Sequence, residues 1–175
     1  KPAENEKAFT EDGYFRTGDA GRMEGNTLFF TERIKDLYKT SNGKYIAPQA
    51  IEMVMSGDQY IEQIAVIGDQ RKFVSALIVP AYSLLEKYAE EKGLAVGSRE
   101  ELVRNKEVLR LIETHIEENQ KNLASYEKIK RFTLLSEPFT MGSELTDTLK
   151  LRRSVILKKY ADSIEKMYEE ASNLS

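Results

Sequence analysis

The sequence predicts an α+β fold: a small central antiparallel three-stranded sheet with flanking helices, preceded by a β-hairpin segment. Three observations carry this. Ile64–Gly68 (IAVIG), Val74–Pro80 (VSALIVP) and Ile129–Leu135 (IKRFTLL) are short apolar or alternating runs of strand length. The intervening stretches place apolar residues at helical spacing and carry capping and stop signals. The two kinds of element show no regular βαβ alternation, which argues against a doubly wound parallel sheet.

In chain order, residues 1–13 are polar and charged and end in the turn signal Glu11-Asp12-Gly13. A short hairpin follows, turning at Glu24-Gly25-Asn26 into the β-branched and aromatic strand Thr27–Thr31. Thr31–Glu52 gathers Arg33, Lys35, Lys39 and Lys44, with Arg22 just upstream, around a turn. It reads either as a connector loaded with phosphate-compatible cations or as a solvated hairpin turn. Pro48 suits a first helical position, where its missing N–H costs nothing. Ile51, Val54 and Met55 then share one face, and Gly57 stops the helix. Ile64–Gly68 and Val74–Pro80, joined by Asp69–Lys72, read as buried antiparallel strands. Ser83–Glu86 is a capping box for a helix closed by Gly93, and Ser98–Glu101 is a second box. The second opens a long helix with Leu102, Leu109, Ile112, Ile116 and Leu123 on one stripe. Ile129–Leu135 is a third strand with one wet face, and Pro138–Asp147 is a polar loop. A final helix from about Arg152 carries Leu157, Tyr160, Ile164, Met167 and Tyr168 inward.

A chain of 175 residues with 41% hydrophobic content can bury a core, and its length suits one domain with a fragment of another attached. With 26 basic against 29 acidic residues the formal charge is −3, so there is no general nucleic-acid field and an anion site must be local. The absence of cysteine excludes disulfides, thiolate nucleophiles and cysteine zinc sites, and fits a reducing cytoplasm. No apolar run approaches the ~20 residues of a membrane span. The N-terminal stretch has no signal-peptide character and no initiator methionine, as expected of an excised piece.

Few residues suggest chemistry unaided. His115, the single histidine, sits among Glu113, Glu117 and Glu118 and is expected on the solvated surface; no metal site is expected. Ser125–Lys128 has Ser-x-x-Lys spacing without the Lys-Thr-Gly that would accompany a penicillin-binding nucleophile, and is set aside. No Gly-rich phosphate loop is present. Lys150, Arg152, Arg153, Lys158 and Lys159 form a basic cluster with no interleaved aromatic platform, so it reads as a solvated face and no nucleic-acid partner is expected. Lys150 differs from the others. It lies between Leu149 and Leu151 on a loop, where the backbone can be anchored and the ammonium presented elsewhere.

Four segments, taken together and in this order, resemble the C-terminal portion of an acyl-CoA synthetase, in the superfamily of adenylate-forming enzymes. Gly13–Asp19 (GYFRTGD) is similar to the family's ribose-binding motif. Arg33–Leu37 (RIKDL), with Lys39 and Gly43–Pro48, resembles its interdomain linker. Tyr126–Phe132 and Leu145–Arg153 resemble the long-chain fatty acid–CoA ligase branch. The resemblance covers nearly the whole chain. It implies that residues 1–34 are the tail of an N-terminal adenylate-binding domain with the linker, and 35–175 a mobile C-terminal lid.

It further implies that fatty acid, ATP and CoA give acyl-CoA, AMP and pyrophosphate through an acyl-AMP, with Mg²⁺ needed by the full-length enzyme but not held by this fragment. Asp19 would accept hydrogen bonds from the ribose hydroxyls, Arg33 would bind nucleotide oxygens, and Lys39 would stand on the AMP side. Lys35 would be the hinge, Gly43 would face CoA, and Lys150 would be the adenylation lysine. The implied partner is the chain's own N-terminal domain, with peripheral membrane contact left open. Three positions depart from the family pattern: Glu32 for a usual Gly or Asp, Ala50 for a frequent Glu, and Asp147 for a frequent Pro. The fragment alone is expected to fold and to lack ligase activity. A non-catalytic α+β interaction module, or the same domain in another adenylating enzyme, are the competing expectations.

Overall fold

A computed structural model describes residues 8–172. The charged stretch expected before Ala8 lies outside the described residues. The turn at Glu11–Gly13 is present, with the Gly13 N–H donating to the Thr10 carbonyl (3.0 Å) and Phe9 bridging Phe15. β1 (Asp19–Glu24) and β2 (Thr27–Arg33) form the first hairpin, closed by Gly25 at φ +59° and Asn26. Gly21 is required there, because a Cβ would sit 2.9 Å from the Phe29 carbonyl oxygen. Met23, Leu28 and Phe30 of this hairpin remain 63–69% exposed. A lone two-stranded ribbon that buries neither face is marginal in water.

A single 3₁₀ turn, Ile34–Asp36, leads to a second hairpin of β3 (Tyr38–Lys39) and β4 (Tyr45–Ile46). The stretch 31–52 is thus the end of β2, a short 3₁₀ connector, this second hairpin and the first turn of a helix. That hairpin docks on the turn at residues 69–72. The Lys39 amide donates to Asp69 Oδ1 (3.1 Å), the Gln70 amide to the Lys39 carbonyl (2.9 Å) and the Ser41 amide to the Arg71 carbonyl (2.9 Å).

α1 (Pro48–Met55) starts at the expected proline and buries Ile51 and Met55. Val54, expected on the same face, is 38% exposed, since the helix lays its Ile51–Met55 side on the strand Ile61–Ile67. β5 (Ile61–Ile67) and β6 (Val74–Pro80) pair antiparallel as expected, with Ile64 opposite Ile78. β7 (Ile129–Leu134), however, runs parallel to β6, with Val74 opposite Ile129 and Ile78 opposite Leu134. The sheet, in order β5-β6-β7, is therefore mixed and not antiparallel throughout. The cause is the connection: the chain leaves the end of β6 and returns through a helical crossover, which delivers the next strand in the same direction. Every residue of β6 is buried, so the core forms around this central strand.

The helices depart from expectation at their ends. α2 (Tyr82–Glu91) begins one residue before Ser83, with Ala81 at the N-cap and no side-chain cap. Its phase is set by buried Tyr82, Leu85 and Ala89, and the Tyr82 hydroxyl donates to the Leu135 carbonyl (2.9 Å). Gly93, at φ +64°, follows the helix as expected. Ser98 does cap a helix, accepting from the Glu101 amide (3.3 Å), but α3 (Arg99–Leu102) lasts one turn. The long helix is α4 (Lys106–Asn119), restarted by Asn105, whose Oδ1 accepts from the Glu107 amide (2.9 Å). Its buried stripe is Val108, Ile112 and Ile116, with Leu109 partly buried and Leu123 beyond its end. Instead of a surface histidine, His115 is half-buried. Its Nδ1 lies 2.7 Å from Asp58 Oδ2, and its ring meets Tyr60 edge-on (4.8 Å). The Asp58 carboxyl would be raised by burial, but the Tyr60 amide, His115 and Asn119 outweigh that and hold it below its ordinary value. The last helix is also two, α5 (Arg153–Lys159) and α6 (Ala161–Ser172), with the corner at Tyr160. The corner resets the phase: Ile156 is buried, and Leu157, expected inward, is 43% exposed. Ile164 and Met167 point inward as expected, with Tyr160 and Tyr168 packed partly against the core.

Candidate functional site

The loop between β7 and α5 is ordered by its own polar groups. The Leu145 amide donates to the Thr140 carbonyl (3.0 Å), and Leu145 bridges Leu151 antiparallel. The Arg152 amide donates to the Glu144 carbonyl (2.7 Å), and its guanidinium donates to the Gly142 (3.0 Å) and Ser143 (3.1 Å) carbonyls. At the tip, the Thr146 amide donates to the Lys150 carbonyl (2.9 Å) and the Lys150 amide to Thr146 Oγ1 (3.0 Å). Leu149 closes the turn at φ +59°, a left-handed conformation uncommon for leucine. Leu149 is exposed and Leu151 packs on the core, so only one of the two flanking leucines anchors the loop. Lys150 thus sits exposed on a backbone-locked tip. Among the described residues it makes no ion pair with Asp147 or any other acid.

Under this loop lies Glu144, whose side chain is fully buried. It accepts from Lys159 Nζ, the Tyr160 hydroxyl (3.2 Å), the Thr140 amide (3.2 Å) and Thr140 Oγ1 (3.3 Å). Burial by itself would raise its carboxyl. The Lys159 hydrogen bond and the Thr140 amide outweigh that and lower it to about 2. Next along the chain, Arg153 pairs both carboxylate oxygens of Glu52 (2.9 and 2.8 Å) and lies over the Tyr38 ring (5.4 Å). The lysine loop is thereby tied to α1 and to β3.

The other residues singled out by sequence fall in two groups. Asp19 and Arg33 face each other across the first hairpin, with Nε 3.5 Å from Oδ1. Lys35 is exposed in the 3₁₀ turn, Lys39 is on β3 with its ammonium over the Tyr45 ring (5.6 Å), and Gly43 turns the second hairpin at φ +77°. No hydrogen bond or ion pair joins Lys150 to any of these five among the described residues.

Sequence reasoning passed over two features. One is Glu144 with Lys159, a pair whose significance appears only once the loop is folded onto the α5–α6 corner. The other is a cleft of about 190 Å³ beside Gly43, lined by Asn42, Lys44, Lys72, Tyr126, Lys128 and Lys130 among others. Lys44 Nζ stands 5.8 Å from the centroid of the Tyr126 ring. The lysines come from three separated segments. The Tyr126-Glu127-Lys128-Ile129-Lys130 run offered the single local hint, an aromatic interleaved with cations.

The described residues thus form a small mixed α+β body, entered through an uncapped 3₁₀ turn and carrying a lysine on a braced loop. The chain belongs to the family of AMP-binding enzyme C-terminal domains, whose model matches residues 35–172. It is 34% identical over 173 residues to long-chain-fatty-acid–CoA ligase 5 of Mus musculus, covering 96% of this chain and 25% of the relative. Long-chain-fatty-acid–CoA ligase 1 of Homo sapiens is 33% identical, over 95% of this chain and 24% of the relative. The chain therefore spans about a quarter of the length of these curated relatives. Among solved structures it resembles the adenylation domain of a carboxylate reductase from Mycobacterium chelonae. There the TM-score is 0.74 at 29% identity, covering 96% of this chain and 25% of that one.

Proposed function

We propose that this chain is the C-terminal part of an ATP-dependent long-chain fatty acid–CoA ligase, with residues 1–34 closing the N-terminal domain and 35–175 forming a mobile lid. The observation that carries this reading is the Lys150 loop, a tip locked by its own backbone that presents a lysine with no acidic partner among the described residues. In adenylation, an oxygen of the fatty acid carboxylate attacks the α-phosphorus of ATP and pyrophosphate leaves. Negative charge builds on the α-phosphoryl and bridging oxygens. An ammonium about 4 Å away at intermediate effective dielectric attracts such charge by roughly 4 kcal/mol. Asp19 offers acceptor oxygens to the ribose hydroxyls, and Arg33 beside it offers a planar donor fork to nucleotide oxygens.

In the second half-reaction the CoA thiolate attacks the acyl carbonyl and AMP leaves. The lysine cleft beside Gly43 suits the phosphates of CoA, and Tyr126 suits its adenine. The lid must present Lys150 for the first step and the Gly43 side for the second, which calls for a pivot. Lys35–Leu37 meets that need. The Ile34 amide still donates to the Gly18 carbonyl at the base of the first hairpin, and from Tyr38 onward the chain is paired into the lid. The exposed apolar hairpin of residues 19–33 fits a surface that packs on the N-terminal domain. Among the described residues no cluster of three acidic or histidine side chains is placed to hold Mg²⁺, and no step above depends on it.

The test is Lys150→Ala in the full-length enzyme. Acyl-AMP formation should fall by about a hundred- to a thousandfold, while thioester formation from preformed acyl-AMP and CoA persists. Unchanged acyl-AMP formation in a folded variant would overturn the lysine assignment. The carboxylate reductase likeness favours a second reading, the same lid in another acid-activating enzyme. Acyl-CoA release by the full-length protein with fatty acid, ATP and CoA separates the two, and the isolated 175 residues should release none.

A further inference from the structure

We propose that Glu144 is the positioning residue for Lys150, its buried carboxylate clamping the incoming leg of the lysine loop to the α5–α6 corner while its backbone carbonyl holds the outgoing leg. This rests on the reading of Lys150 as the adenylation lysine. Through its carboxylate, Glu144 binds the incoming leg at Thr140 and the corner at Lys159 and Tyr160; through its carbonyl, it receives the Arg152 amide of the outgoing leg. The Leu145–Leu151 bridge and the Thr146–Lys150 turn are stacked directly on that junction. The lysine's backbone is therefore oriented by one residue, a few positions away, whose side chain is itself inaccessible to solvent.

A fully buried charge in a surface loop is a poor device for stability, since apolar residues of similar volume often do as well or better. Its use lies in direction. Both carboxylate oxygens are engaged, so the loop has a single satisfied arrangement, whereas apolar packing would accept several. Such precision matters where an ammonium must meet a transferring phosphoryl group, because a misplacement of about 1 Å costs on the order of a hundredfold in rate.

The experiment uses the full-length enzyme carrying Glu144→Gln, Lys159→Met, Lys159→Arg, Lys150→Ala and the Glu144→Gln/Lys150→Ala pair. Single-turnover acyl-AMP formation is measured alongside thioester formation from preformed acyl-AMP. Glu144→Gln and Lys159→Met should each slow acyl-AMP formation by about ten- to a hundredfold, while KM for ATP and the thioester step stay within about twofold. Lys159→Arg should restore most of the rate, and Glu144→Gln should add less than about twofold to Lys150→Ala. Equal loss in both half-reactions, full additivity with Lys150→Ala, or a normal acyl-AMP rate overturns the proposal. Lys159 is half-exposed, so Lys159→Met decides the matter if Glu144→Gln does not fold. If Lys150→Ala leaves adenylation intact, the functional reading has failed. Amide exchange over residues 145–151 then decides whether Glu144 positions the loop. A rise of about tenfold in Lys159→Met supports it, and unchanged exchange overturns it.

Discussion

Replacing Arg153 with methionine removes the guanidinium that joins α5 to α1 and β5 but keeps an apolar stem over Tyr38. In the folded chain, Arg153 donates to Glu52 Oε1 (2.9 Å) and Oε2 (2.8 Å), and Nη1 reaches the Val66 carbonyl (3.4 Å). The side chains are 25% and 13% exposed, so the pair is mostly removed from water. Burial would lower the guanidinium, but its bond to Glu52 outweighs that and raises it. Removing one partner of a buried pair costs about 3–5 kcal/mol. Two features reduce that here: Glu52 Oε1 keeps the Val66 amide (2.8 Å), and water can reach the quarter-exposed site. The expected loss is about 2–3 kcal/mol, or roughly 5–10 °C in Tm for a chain of this size. Urea unfolding of the 175-residue chain should show a lower midpoint at unchanged slope. In a double-mutant cycle with Glu52→Gln, a coupling of at least about 1 kcal/mol is expected. A loss below about 0.5 kcal/mol, or additive effects, would refute the view that this pair ties the lysine-loop helix to α1 and β5.

The acid limb of stability should report Glu144. Its carboxyl is lowered from 4.5 to about 2, so its contribution is complete above about pH 4.5 and is lost as pH falls toward 2. The full linkage would be about 3–4 kcal/mol, and screening of the half-exposed Lys159 reduces it to about 1–2 kcal/mol. Unfolding midpoints for Glu144→Gln should therefore be flatter than wild type between pH 5 and about 2, and parallel curves would contradict this. Lys35→Pro should fix the pivot and bias Ile34 toward extended backbone, impairing one half-reaction at least about tenfold more than the other; equal impairment would leave Lys35 a structural turn. Lys44→Ala with Lys128→Ala should raise KM for CoA by about five- to thirtyfold, with a weaker salt dependence. Acyl-AMP formation should be spared, and an unchanged KM for CoA would remove the cleft from the site.

Local signals were read correctly where one residue's chemistry suffices. Pro48 begins α1, Ser98 caps a helix, and Gly25 occupies the left-handed position of the first hairpin. They misled where the signal is shared by alternatives. Ser83-x-x-Glu86 is a capping box by pattern, but packing of Tyr82 and Leu85 moves the N-cap of α2 two residues earlier, to Ala81. Two long helical patterns each proved to be a pair of helices, because Asn105 and Tyr160 end one phase and begin another. Leu157, expected inward, is exposed for that reason.

By itself the sequence determined the α+β class, two central strands, the first hairpin and the order of the motifs that place Asp19, Arg33, Lys35, Lys39, Gly43 and Lys150. These depend on periodicity, turn chemistry and short motifs, all of which are local in the chain. Only the tertiary structure decided that β7 runs parallel to β6, that His115 is tethered to Asp58, and that Glu52 meets Arg153. It also decided that Glu144 is buried under the lysine loop and that the cleft lysines share a wall. In each case the partner is supplied by the crossover direction or by a helix corner. Strand direction follows from the path of the connection, and charge pairing follows from burial, so neither is written in the residues that take part.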